Sequence, residues 1–162
     1  MKIAVSACLL GETCRYDGRS KPCARVQELV ALGHELVPIC PEVAGGLPTP
    51  RTPCEIVQAP WMESEKTHTA NEHSWTILDA NGTDRTAAYT RGAQAELARA
   101  KEAGCELAIL KAKSPSCGSG EVYDGTFSGT VVPGWGIAAA TFRDVGITVI
   151  DETADFSRLS RV

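Results

Sequence analysis

Short apolar runs recur along this chain at wide intervals, each bounded by turn residues and separated from the next by a stretch with helical spacing. Ile3-Ala4-Val5, Leu36-Val37-Pro38-Ile39, Leu107-Ala108-Ile109-Leu110 and Ile147-Thr148-Val149-Ile150 have the length and composition of buried strands. Between the first two, Val26, Leu29 and Val30 predict a helix with Ser20 as cap, Pro22 in its first turn and Gly33 as its stop. A second helix opens at Thr83 or Asp84, places Tyr89, Ala93, Leu97 and Ala100 on one face, and closes at Gly104. Ahead of the last strand, Ala138, Phe142 and Val145 share a face before Gly146. Alternation of this kind specifies the α/β class: an open, mostly parallel sheet with helices on both faces, a Rossmann-like three-layer arrangement.

With 162 residues and neither linker nor repeat, the chain reads as a single domain, 1–162. The segment "VAGGLPTPRTPCEIV" is an expected ordered loop, since its prolines forbid a regular helix and most of a central strand. Residues 59–82 read as a variable loop or edge-hairpin insert, with Trp75-Thr76-Ile77-Leu78 as a candidate partner for Ile56-Val57. "EVYDGTFSGTVV" has the pattern of a hairpin. A net charge of −4 without Lys or Arg clusters argues against a nucleic-acid partner. No apolar run approaches the ~20 residues that span a bilayer, and the N-terminus lacks a signal-peptide core, so the expectation is a cytoplasmic protein with no membrane partner. No feature of the sequence specifies an oligomeric state.

Seven cysteines, at 8, 14, 23, 40, 54, 105 and 117, are many for such a chain, and in a reducing compartment they point to metal binding or thiol chemistry before disulfides. Cys8, Cys40 and Cys117 each follow the end of a different predicted strand. Parallel strands deliver those ends to one edge, where the functional crevice of an open α/β sheet lies. Cys105, at the opposite strand end, Cys23 and Cys54 read instead as small buried hydrophobes. Cys14 shares a loop with Cys8: as a fourth ligand it would close a structural zinc site, whereas three cysteines leave a position open for a substrate. No Cys-x-x-Cys pair is present, and spacing does not separate zinc from iron. His68 and His73 lie in a polar stretch and read as solvated, and Gly45-Gly46 is not part of a phosphate loop.

The motifs "SACLLGETCRYDG", "CPEVAGGLPTPR" and "LKAKSPSCGSG", supported by "GTDRTAAYTRGA" and "VYDGTFSGTVVPGWG", resemble those of the thiouracil desulfidase family over nearly the whole chain except about Trp61 to Ser74. The resemblance implies an enzyme that removes sulfur from a small thiolated pyrimidine base, of the 2-thiouracil to uracil type, without net redox change. It implies a 4Fe-4S cluster held by Cys8, Cys40 and Cys117, the three cysteines that the strand-end argument also selects, with the substrate sulfur taken by the iron that lacks a protein ligand. It further implies roles for Glu42, which would take a proton from the attacking water, and for a serine of Ser-Pro-Ser-Cys, Ser114 in preference to Ser116. Arg15, Tyr16, Arg51 and Ser116 are expected around the substrate pocket, the first three for their proximity to Cys8 and Cys40. Cys14 drops out by analogy, since related longer sequences often carry valine there. The chain departs from the usual pattern at Cys54, where alanine is more frequent. The competing readings are a metal-free thiol enzyme and a non-enzymatic domain that binds a cluster or zinc.

Overall fold

The computed structural model describes residues 1–58 and 75–159. Four parallel strands, β1 (Lys2–Ser6), β2 (Glu35–Ile39), β5 (Cys105–Leu110) and β8 (Thr148–Asp151), form the central sheet in the order β2-β1-β5-β8. The chain first moves outward from β1 to β2, then returns to the other side of β1. The reversal point is therefore the β1/β5 boundary, where sheets of this type open a crevice. The register Ser6↔Ile39 and Val5↔Ile109 brings the carboxyl ends of the three strands level.

Side chains alternate across the sheet. Ile3, Val5, Leu107 and Ile109 point to a layer containing Leu9, Val26 and Leu29, while Ala4, Ala108 and Leu110 meet Leu97, Ala100, Ala139 and Phe142. The second group comes from α3 (Thr86–Ala103) and α4 (Ile137–Asp144), so both faces are covered, as expected. The first helix is shorter than its spacing predicts: α1 covers only Ala24–Gln27, and a 3-10 turn continues through Glu28–Val30. Lys21 and Cys23 donate backbone N–H groups to Cys8 and Leu9, which holds the segment around Pro22 extended rather than helical. Val30 and Val145, both expected on buried faces, are exposed, because their helices end too early to turn them inward.

The expected pairing of Ile56-Val57 with Trp75 to Leu78 is present, as β3 (Cys54–Gln58) against β4 (Trp75–Asp79), but it forms a separate antiparallel pair and not an edge of the main sheet. The hairpin is β6 (Ser119–Tyr123) with β7 (Val131–Trp135). Residues 59–74 of the expected insert, with His68 and His73, lie outside the described residues. Helix α3 opens at Thr86, whose N–H bonds Asp84 Oδ1, and closes on Gly104 with φ of 79°, the left-handed geometry that glycine takes without strain.

A short helix, α2 (Pro41–Ala44), starts with proline at its first position and takes in Val43 and Ala44, the first two residues of the expected loop. This helix is pressed against α3 backbone to backbone. A Cβ at Gly92 would penetrate the Pro41 carbonyl, and one at Gly45 would penetrate that of Ala88. Overpacking at a contact with no flexible side chain to yield is costly. Gly92→Ala is expected to destabilise the protein by about 3 kcal/mol, which corresponds to a fall in Tm of roughly 6–12 °C. Thermal unfolding by circular dichroism measures it; an unchanged Tm would mean that α2 is not held this way.

Candidate active site

Cys8 lies in a 3-10 turn (Ala7–Leu10) directly after β1, Cys40 caps α2 directly after β2, and Cys117 follows β5 in the Ser-Pro-Ser-Cys loop. All three line one cavity of about 430 Å³ at the carboxyl edge of the sheet. Side chains anchor the backbone N–H groups of Cys40 and Cys117. The Cys40 N–H donates to Glu96 Oε1 at 3.1 Å, and Glu96, buried on α3, is paired with Arg99, which also reaches the Pro38 carbonyl. The Cys117 N–H donates to Ser114 Oγ at 3.1 Å. Gly136 is required here, since a Cβ would run into the Ser116-Cys117 peptide.

Cys14 joins the same wall, close to Cys8 and Cys40, and its carbonyl accepts from the Cys40 thiol at 4.0 Å. Cys54, read from sequence as an inert buried thiol, also lines the cavity, beside Tyr89. Cys105 fits that reading and packs in the core at the far end of β5, while Cys23 packs against the layer containing Leu9. All seven cysteines are free. Burial pushes the Cys117 thiol up to about 12, only partly offset by hydroxyls of Ser6 and Ser116. Contact with Cys40 lowers Cys14, but contact with Cys8 and burial outweigh it and push the thiol up to about 11. Cys40 is raised by its contact with Cys14 and by burial. An activated thiol nucleophile needs the opposite shift.

Glu42, on the first turn of α2, is the centre of the polar network. Its Oε1 accepts from Tyr89 Oη at 2.9 Å and from Arg51 Nε at 3.0 Å, and its Oε2 accepts from Ser116 Oγ at 2.9 Å. Burial alone would lower Arg51, but the Glu42 charge holds the guanidinium above its ordinary value. Burial, reinforced by that same charge, pushes the Tyr89 phenol far up, so it stays a protonated donor. Arg51 spends its other donors on the carbonyls of Pro48 and Cys14 and on Thr49 Oγ1, fastening the loops that carry Cys14 and Glu42.

Ser114 and Ser116 both line the cavity. Ser114 Oγ accepts the N–H groups of Ser116 and Cys117 and lies 2.9 Å from Ser116 Oγ. Ser116, given second place by the sequence, is the serine in contact with Glu42. Arg15 and Tyr16 also reach the cavity wall, although Arg15 bonds outward to Asp17. Tyr89 is legible in the sequence only as part of an apolar helix face. Its one clue is chemical: a buried phenol needs a hydrogen-bond partner.

The donor set suits an iron-sulfur group. The sulfurs are soft ligands, and they are spread around a cavity wall.

The chain and its fold have known relatives. The family model described as 2-thiouracil desulfurase matches residues 3–154. The uncharacterized protein YbbK of Bacillus subtilis strain 168 is 43% identical over 150 residues, covering 93% of this chain and 95% of its own. A solved structure, the 4Fe-4S-dependent thiouracil desulfidase TudS, superposes with a TM-score of 0.77 at 41% identity, covering 94% of this chain and 91% of that one. A family match spanning almost every described element, together with relatives of this identity and coverage, shows that the chain belongs to the 2-thiouracil desulfurase family.

Proposed function

We propose that this protein hydrolyses the carbon-sulfur bond of a thiolated pyrimidine base, converting a compound of the 2-thiouracil type and water to uracil and hydrogen sulfide with no net redox change. Cys8, Cys40 and Cys117 would hold a 4Fe-4S cluster. When bound, such a cluster supplies an iron without a protein ligand, a Lewis acid with affinity for soft sulfur that polarises a thiocarbonyl.

The observation that carries this reading is the environment of Glu42 inside a thiol-lined cavity. Two donors saturate Oε1, while among the described residues Oε2 has only the Ser116 hydroxyl, so Oε2 is the oxygen with capacity for a proton. Ser116 has a single hydroxyl hydrogen. Given to Glu42, it leaves the Ser116 oxygen to accept from Ser114, and Ser114 already accepts two backbone N–H groups. The chain Ser114 to Ser116 to Glu42 thus has one polarity, directed toward the carboxylate. Glu42 takes the proton of the attacking water as general base and returns it to the ring nitrogen or departing sulfur. Arg51 and Tyr89 hold the carboxylate in one orientation throughout. The thiols of Cys14, Cys40 and Cys117 are raised, which disfavours those three as the nucleophile of a metal-free thiol enzyme.

The test is anaerobic purification with iron and acid-labile sulfide analysis, followed by visible absorption and uracil formation on adding 2-thiouracil. Iron, sulfide and uracil are expected together. Absence of iron and sulfide after competent reconstitution, or a loaded protein that leaves 2-thiouracil intact, overturns the proposal.

A further inference from the structure

Phe127 occupies a position that packing does not explain. It sits in the turn between β6 and β7 with φ of 57°, a left-handed backbone conformation that a bulky side chain adopts at a cost. It belongs to none of the three apolar clusters among the described residues, and 40% of its surface is exposed. It is one of the residues lining the cavity that also contains Cys8, Cys40 and Cys117.

The strained turn is held from two sides. Glu55 of β3 is buried, and its Oε1 accepts the N–H of Gly125 at 3.0 Å and of Phe127 at 3.3 Å. Gly125, with φ of 89°, lies so close to β3 that a Cβ would collide with the Ile56 carbonyl. Asp124 Oδ1 accepts from the Thr126 N–H and hydroxyl, closing the turn from its other side. The buried Glu55 side chain therefore holds in place a backbone that puts an apolar residue on the wall of a thiol-lined cavity. Strain maintained by surrounding structure at a cavity wall is a functional signature.

We propose that Phe127 is a specificity-determining residue: it stacks on the flat face of the substrate ring and selects planar, aromatic thiolated bases over saturated rings with the same polar groups. The inference rests on the desulfidase reading and adds to it the feature of the substrate that is recognised. Hydrogen bonds to the base edge do not distinguish a planar ring from its 5,6-dihydro form, because both carry the same N–H, carbonyl and thiocarbonyl groups. A π-face does.

The experiment compares 2-thiouracil with 5,6-dihydro-2-thiouracil on cluster-loaded wild type, Phe127→Ala and Phe127→Trp. Loss of one base-aromatic stack weakens binding by about tenfold. Phe127→Ala is expected to raise KM for 2-thiouracil by that factor with kcat nearly constant, to leave KM for the dihydro compound within about twofold of wild type, and to be rescued by Phe127→Trp. Equilibrium dialysis of uracil against 5,6-dihydrouracil should show the same loss of discrimination without turnover. Equal effects of Phe127→Ala on both rings, or none on either while wild type turns over 2-thiouracil, overturn this inference alone. A loaded wild type that leaves 2-thiouracil intact overturns the desulfidase reading instead.

Discussion

Glu42→Gln is expected to lower kcat by roughly 10²- to 10⁴-fold, the range that a positioned general base contributes, while iron and sulfide content stay at wild-type levels. The substitution is close to isosteric. A glutamine oxygen still accepts from Arg51 and Tyr89, the two donors now on Oε1. What it removes is the proton capacity of Oε2 and the acceptor for the Ser116 hydroxyl. The amide nitrogen is a donor with no free pair, so the Ser114 to Ser116 chain loses its terminus and its direction. Anaerobic turnover of 2-thiouracil, with cluster content measured on the same sample, checks this. Wild-type rates with an intact cluster would remove Glu42 as the base. Loss of the cluster would show that it acts through the fold of α2, which Gly45 and Gly92 hold against α3.

Serine replacement of Cys8, Cys40 or Cys117 is expected to abolish both cluster retention and activity, because thiolates are the ligands that hold such groups. Serine fills nearly the same volume, so a folding defect does not account for the loss. Cys14→Ser and Cys54→Ser are expected to keep iron and sulfide, although both residues line the cavity. Cys14 makes the comparison informative, since it lies beside Cys8 and Cys40 and its carbonyl accepts from the Cys40 thiol and from Arg51 at 2.7 Å. Iron analysis of the five reconstituted variants decides the set. A Cys14→Ser protein without iron beside a Cys8→Ser protein that keeps it would reassign the ligands.

Much of this site is legible in the amino-acid sequence, and the reasons are local. A three- or four-residue apolar run followed by Ser-Ala-Cys or Cys-Pro-Glu, or leading into the Ser-Pro-Ser-Cys loop, marks a strand whose carboxyl end leads to a cysteine, and parallel pairing sends such ends to one edge. The register Ser6↔Ile39 and Val5↔Ile109 is the physical form of that argument. Tyr89 escapes the same reasoning. On a helix wheel it joins Ala93 and Leu97 as an apolar stripe, and only the docking of α2 against α3 turns its hydroxyl toward Glu42. Cys54 looks inert because its loop position carries no periodic signal, and its strand faces the cavity through pairing with β4, outside the main sheet.

The two serines and Phe127 mark the boundary more finely. Sequence places Ser114 and Ser116 near the site, but one residue of spacing cannot say which hydroxyl meets a carboxylate 74 positions away. That choice is made by the loop closing on Gly136, where a Cβ would not fit. Phe127 reads as a hairpin residue until Glu55, 72 positions earlier, is found beneath its backbone. The sequence by itself determined the strands, the α/β class and the three strand-end cysteines, because periodicity and turn chemistry act over a few neighbouring residues. Tertiary structure alone decided the partners of Glu42, the company of Cys14 and Cys54, and the ring at the cavity wall, because those contacts join distant segments whose meeting depends on close backbone packing.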